Sequence, residues 1–450
     1  MSHLIKKLSL NSSWMIFSLA LGACGVDSTG ENTGGVDDGP AQGSNPTANT
    51  TKPGDTTKPG DTTKEPPALI CAPGVAIVLS DYVSTQVALS DLEGKTQSES
   101  FISTASSASD GLAFALSGDV ALPATPSSSG NLVLLDRYGT NVITWVEKSS
   151  AKVLKQLEVG TGFESNLQQY LEFGDSLALV SRWGQNADPG KEDFDTGGDV
   201  LVIDLKDNKI VKSLVMPTAD DLPARPGSLA LIADEVIVTL DRIALDFSTA
   251  GEATYVGIDP ATQTVTWEQS IPGRKACGRA TLSPDGTKFA IACTGRIDGT
   301  GVSEDIKQSA LIIFDVKERP FKELKVYEAA DLLNLPLQSN IAFASDDVVL
   351  LKTQTPWGGE GNNQLFALNL TDGSTQSLLE ANADEKGKGK GLVYGGLSCA
   401  PGCSNICLMT DGDKKVLQRV QLSADGSFEV LDPVTVETTV GLPPVSISHR

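Results

Sequence analysis

The chain has 450 residues, with 57 acidic against 35 basic side chains and a formal net charge of −22 at pH 7. That balance argues against nucleic acid and anionic lipid surfaces as electrostatic partners. Its two histidines, His3 and His449, exclude multi-histidine metal centres and leave Ser-His-Asp or Cys-His chemistry only a terminal tail as its source of base.

At the N-terminus, Lys6 and Lys7 precede a short apolar core (residues 14–20) that closes on Leu21, Gly22, Ala23 and Cys24. The run is too short to span a bilayer as a stable helix and predicts a signal peptide over residues 1–23. Its ending resembles the bacterial lipobox, in which the cysteine is diacylated and becomes the mature N-terminus. The resemblance implies lipidation at Cys24. With Gly25 rather than Asp following, it implies anchoring in the outer membrane of a Gram-negative envelope, on the periplasmic face or the cell surface. An ordinary signal peptide with an incidental cysteine is the competing reading.

Residues 24–67 are rich in Gly, Pro, Thr, Ser and Asp and carry the tandem TKPGDT-TKPGDT-TKEPP. Such a segment buries too little surface to offset its ordering entropy. It is expected to be a disordered, lipid-anchored stalk reaching on the order of 35 Å as a flexible coil.

From residue 68 to 450 one pattern recurs seven times. An apolar run ends at a small polar residue, turns, and restarts as an alternating run. The polar residues are Asp91, Asp136, Asp204, Asp259, Asp315, Asn369 and Ser423, spaced after the first gap by 68, 55, 56, 54 and 54 residues. Runs such as VLVID (200–204) and LIIFD (311–315) suit strands buried on both faces, and the Asp or Asn starts a turn by bonding its own backbone. A second set of tight turns lies upstream in each unit, among them Asp110-Gly111, Asp285-Gly286 and Pro401-Gly402. A four-stranded meander of this kind cannot bury both sheet faces alone, whereas seven packed radially do. The fold class is therefore all-β, a seven-bladed β-propeller over residues 68–450. A pair of β-sandwiches lacks this period. The C-terminal GLPPVSISHR (441–450) has strand character and is expected to add a strand to the first blade.

The unit LSPDGTKFAIAC (282–293) followed by ALIIFDVKERP resembles the YVTN-type and TolB-like propeller repeats, in which an SPDG hairpin joins the inner two strands. GIDPATQTVTW (257–267) and LLDRYGTNVITW (134–145) are similar to quinoprotein-type repeats, in which a Trp docks between blades. Two of seven units carry that Trp. The resemblance implies fold rather than activity.

Beyond Cys24 six cysteines remain, an even number that suggests disulfides in an exported chain. Cys277 and Cys293 lie symmetrically about the SPDG hairpin and are expected to face each other. Cys71 is expected to bond into the cluster Cys399, Cys403 and Cys407 and tie the ring shut, with Cys399 to Cys403 as a local bridge.

The long irregular segments all fall, by this strand phase, on the face opposite the tight turns. They are residues 122–130, 184–198, 243–252, 295–308 and 353–363. Long loops in compact domains are often functional, so this face is the expected binding face. In the loop NADPGKEDFDTGGD (186–199), Asp188, Asp193, Asp195 and Asp199 offer oxygen ligands along Gly-rich chain, a pattern that suits Ca2+ without matching an EF-hand. Arg182, Arg242, Arg296 and Lys352 stand near the ends of the second strands and form a candidate ring for an anionic ligand, with Trp183 and Trp357 beside them.

These residues point first to a non-enzymatic binding module at the cell envelope, with an envelope protein, peptide or glycan as partner. The alternative is a lactonase-like or quinoprotein-like enzyme with a metal or quinone in the central channel, which calls for acids converging from several inner strands. A structural component acting by tethering alone is the third reading. No catalytic residue is assigned.

Overall fold

The computed structural model describes residues 71–450 except 107–110, 175, 247, 296–305, 354–362, 381–394 and 437–438. They belong to the second of the chain's two compact units, Pro67–Arg450. The expected signal peptide, Cys24 and the stalk lie outside the described residues, as do Arg296, Trp357 and most of the loops 295–308 and 353–363.

Seven antiparallel four-stranded sheets form a seven-bladed β-propeller. In blades 2 to 7 the strands follow one another in chain order. The first strands of these blades are Val120–Ala121, Leu167–Phe173, Pro226–Ile232, Thr281–Leu282, Ala342–Ser345 and Leu397–Cys399. Blade 1 takes its first strand from the other end of the chain. Pro444–His449 pairs antiparallel with Val75–Ser80, and Thr85–Ser90 and Thr96–Ser103 complete the sheet. The C-terminal segment thus closes the ring as its sequence suggests.

Strand alternation explains the apolar runs. In Val75–Ser80, Ala76 and Val78 pack toward blade 2, while Val75, Ile77 and Leu79 pack toward blade 7. Successive side chains point to opposite sheet faces, and each blade is covered on both, so both sets are apolar. Among the described residues seven clusters result, one at each contact between neighbouring blades. Each fully buried Val, Leu or Ile in them contributes about 1.5–3 kcal/mol.

One blade shifts the expected phase. In blade 2, Leu132–Asp136 is the second strand, not the third, and Val142–Val146 is the third. The turn between third and fourth strands begins at Glu147, whose amide donates to the Lys152 carbonyl at 2.8 Å. With Glu147 in place of Asp136, the spacings from Asp91 and to Asp204 become 56 and 57 residues. Asp136 imitates a turn residue because it ends an apolar strand. It is in fact buried, accepting bonds from the Ser117 amide and hydroxyl at 2.7 and 2.6 Å, and burial raises its pKa. Segment 122–130 consequently joins first and second strands and lies on the tight-turn face, and Gly111 falls in the link between blades 1 and 2.

The two Trp residues do bridge blades. The Trp145 indole donates to the Tyr170 hydroxyl of blade 3 at 3.1 Å, and Trp267 packs edge-on against Phe321 of blade 5.

Three disulfides join the six described cysteines: Cys71–Cys403, Cys277–Cys293 and Cys399–Cys407. The hairpin pair and the ring-closing bond match the sequence expectation. The local bridge differs, because Cys399 stands directly opposite Cys407 across the first two strands of blade 7. Cys403, on the turn between them, is left for Cys71.

Candidate functional site

Among the described residues, cavities open in the axial channel and on the loop face. The first strands of the blades line the channel, which contains a cavity of about 400 Å3. Its polar lining includes Gln169, Arg279, Ser339, Asn340, Ser398, Ser446, Ser448 and His449. No carboxylate is among the described residues there.

Arg279 enters the channel from the segment GRATLS, with Ala280 beside it packed in the core between blades 4 and 5. Desolvation by the surrounding protein lowers its pKa to about 10, which leaves it charged at neutral pH. His449 reaches the channel because the C-terminal strand is the first strand of blade 1. Its Nε2 lies 2.8 Å from the Cys399 carbonyl, while its Nδ1 is buried without a partner. Burial lowers its pKa, so the ring is neutral at pH 7 and donates through Nε2.

On the opposite face the three described members of the expected cation ring are each engaged within the protein. Arg182 is fully buried and pairs with Asp199, also fully buried, through Nε–Oδ1 and Nη2–Oδ2 contacts of 2.8 and 2.6 Å. Arg242 forms an ion pair with Glu268. Lys352 is fully buried, donates to the Gly395 carbonyl, and is held by desolvation at a pKa of about 7. Trp183 donates to Asp241 at 2.7 Å and carries the Arg225 guanidinium 3.7 Å over its ring. These groups tie strand ends and neighbouring blades together and do not converge on a ligand.

The proposed calcium ligands also separate. Asp188 pairs with Lys191 in solvent, and Asp193 is exposed. Asp195 folds back on its own loop, accepting the Gly190, Lys191 and Glu192 amides at 2.8–3.1 Å, which lowers its pKa. Asp199 is taken by Arg182. Among the described residues no three metal-ligating side chains converge. The channel donors, a guanidinium with amides and hydroxyls, likewise do not fit a metal cation.

The loop face nevertheless carries a cleft of about 620 Å3 between blades 3 and 4. It is bounded by Gln185, Asp221, Leu222, Pro223, Leu245 and Asp246. These residues come from the end of a second strand, the link between blades, and the 243–252 loop. Leu245 is 65% exposed and offers the cleft a large apolar side chain.

Sequence reasoning missed Arg279, Asp241 and the position of His449. The inner segment GRATLS carries a cation, Arg279, where catalysis at the axis calls for acids. Asp241 is the residue before Arg242, and burial raises its pKa to about 6, against the Trp183 bond and the Arg225 charge.

No family model matches the chain, and no curated protein sequence does. Solved structures resemble it in fold. A periplasmic gluconolactonase of Pseudomonas aeruginosa is 11% identical with a TM-score of 0.53, covering 83% of this chain and 98% of its own. A hypothetical selenium-binding protein of Sulfolobus tokodaii is 9% identical with a TM-score of 0.53, covering 85% and 97%. A protein of Lactobacillus plantarum is 10% identical with a TM-score of 0.51, covering 84% and 99%. At these identities the likeness establishes a shared fold, a β-propeller used as a scaffold for unrelated functions.

Proposed function

We propose that the protein is a lipid-anchored propeller of the bacterial envelope that binds a protein, peptide or glycan partner through its loop face without catalysing a reaction. The cleft between blades 3 and 4 carries this reading. It joins the exposed Leu245 to Asp221 and Asp246 on a face built from long loops. An apolar anchor ringed by polar and charged groups is the usual form of an interaction hot spot. The acidic rim favours a partner segment carrying basic charge. Three disulfides support an oxidising compartment, and the lipobox-like ending at Cys24 supports the anchor.

The lactonase-like or quinoprotein-like alternative calls for acids at the axis, and the described channel lining supplies a cation in their place. Catalysis is therefore not the reading we adopt.

The test is capture from crosslinked cell envelopes with wild type and Leu245→Glu. A partner recovered by wild type and lost in the variant supports the reading. Equal recovery by both moves the interaction off this cleft. Replacing the whole 188–199 loop is unsuitable as a test, because Asp199 belongs to the buried pair with Arg182.

A further inference from the structure

We propose that the axial channel is a binding site for a small polyhydroxylated oxyanion, a sugar acid or sugar phosphate, with Arg279 as its charge partner.

Charge pairing in the described residues is uneven at one arginine. Every other described arginine has a protein partner. Arg137 pairs with Asp119, Arg182 with Asp199, Arg242 with Glu268, Arg274 with Glu328 and Arg319 with Glu235. Arg225, Arg419 and Arg450 donate to backbone carbonyls. Arg279 alone makes no ion pair and no guanidinium hydrogen bond among the described residues. This happens in a chain with 57 carboxylates, so partners are not scarce. Enclosed charges are paired as a rule, because desolvation without a counter-charge is costly. A guanidinium kept at the wall of a cavity without one is poised for an anion from outside, and its planar fork suits carboxylate and phosphate.

The rest of the lining agrees. Gln169 spends its Oε1 on the Ala124 and Tyr170 amides, both at 3.0 Å, which leaves its Nε2 protons free. Asn340 and the hydroxyls of Ser339, Ser398 and Ser446 make no hydrogen bond within the described residues. One charged fork with several neutral donors and acceptors suits an anion that also bears hydroxyl groups. A cavity of about 400 Å3 falls at the lower end of the range for small-molecule sites.

The site is independent of the loop-face cleft, so the two proposals fail separately. The test is calorimetric titration of the full chain with glucuronate, glucose 6-phosphate, inorganic phosphate and neutral glucose. Wild type is expected to bind glucuronate or glucose 6-phosphate, weakening as salt rises, with glucose at least tenfold weaker. The stronger of the two acidic sugars identifies the anion class. Arg279→Gln is expected to weaken binding at least tenfold while melting at the same temperature or higher, since it removes an unpaired charge. Asn340→Asp, at an exposed channel position, is expected to abolish binding with the fold intact. The proposal is overturned if wild type binds none of the four probes or binds glucose equally well. A phosphate response equal to that of the sugars, undiminished binding in either variant, or a melting temperature several degrees lower in Arg279→Gln also overturns it.

Discussion

Arg182 and Asp199 form a bidentate pair on adjacent strands of blade 3, and neither side chain is exposed. The same arginine holds the Val159 carbonyl at 3.0 Å and the Thr161 hydroxyl at 2.6 Å, and Asp199 also accepts from Ser213 at 2.6 Å. The pair is a hub joining the link from blade 2 to three strands of blade 3.

Breaking one side of such a pair strands the other charge. Asp199→Ala is expected to cost about 3–5 kcal/mol, whereas the double change Arg182→Met with Asp199→Leu costs markedly less. Urea unfolding of the single and double variants measures both. A single variant within about 1 kcal/mol of wild type would show that the pair does not hold the blade.

The Cys71–Cys403 bond spans 332 residues, and Cys399–Cys407 spans 8. In the chain-entropy model these lengths correspond to about 6 and about 2.5 kcal/mol. Replacing both cysteines of the long bridge by Ser is therefore expected to lower the melting temperature more than the same change at the short bridge. Equal losses would contradict this, and peptide mapping without reductant checks the pairing itself.

Lys352 gives a pH signature. Its folded pKa of about 7 lies below the unfolded value of roughly 10.4. Between those values the unfolded chain binds more protons, so stability rises with pH from about 7 toward about 10 and falls as pH drops back through that window. Lys352→Met is expected to flatten the rise. Chemical denaturation at pH 7 and pH 9.5 for both proteins decides it, and parallel slopes would rule out a neutral buried amine.

The architecture was readable because physics repeats it. Six of seven units carry an Asp, Asn or Ser at the turn after the third strand, and in the five with Asp or Asn its side-chain oxygen accepts the backbone amide two residues on, as Asp259 does from Ala261 at 2.8 Å. Blade 2 misled because Glu147 occupies that position while Asp136 ends the preceding strand. The face of segment 122–130 was lost with it. The site was less legible. Arg182 lies on the second strand of blade 3 and Arg279 just before the first strand of blade 5, and only three-dimensional packing tells that one is paired and that the other has no partner among the described residues. The Asp188–Asp199 acids looked like a set in sequence, yet loop curvature turns each toward a different partner. His449 appeared as a terminal tail, and its place at the axis follows from a pairing across 374 positions with Val75.

That pairing has a consequence for biosynthesis. A chain made from its N-terminus holds blade 1 at three strands until Pro444–His449 has been synthesised. Ser446 and His449 reach the channel wall with that same strand. Loss of these residues is expected to remove one side of the channel lining. Pro444–His449 is thus at once the strand that closes the ring and part of the wall of the cavity.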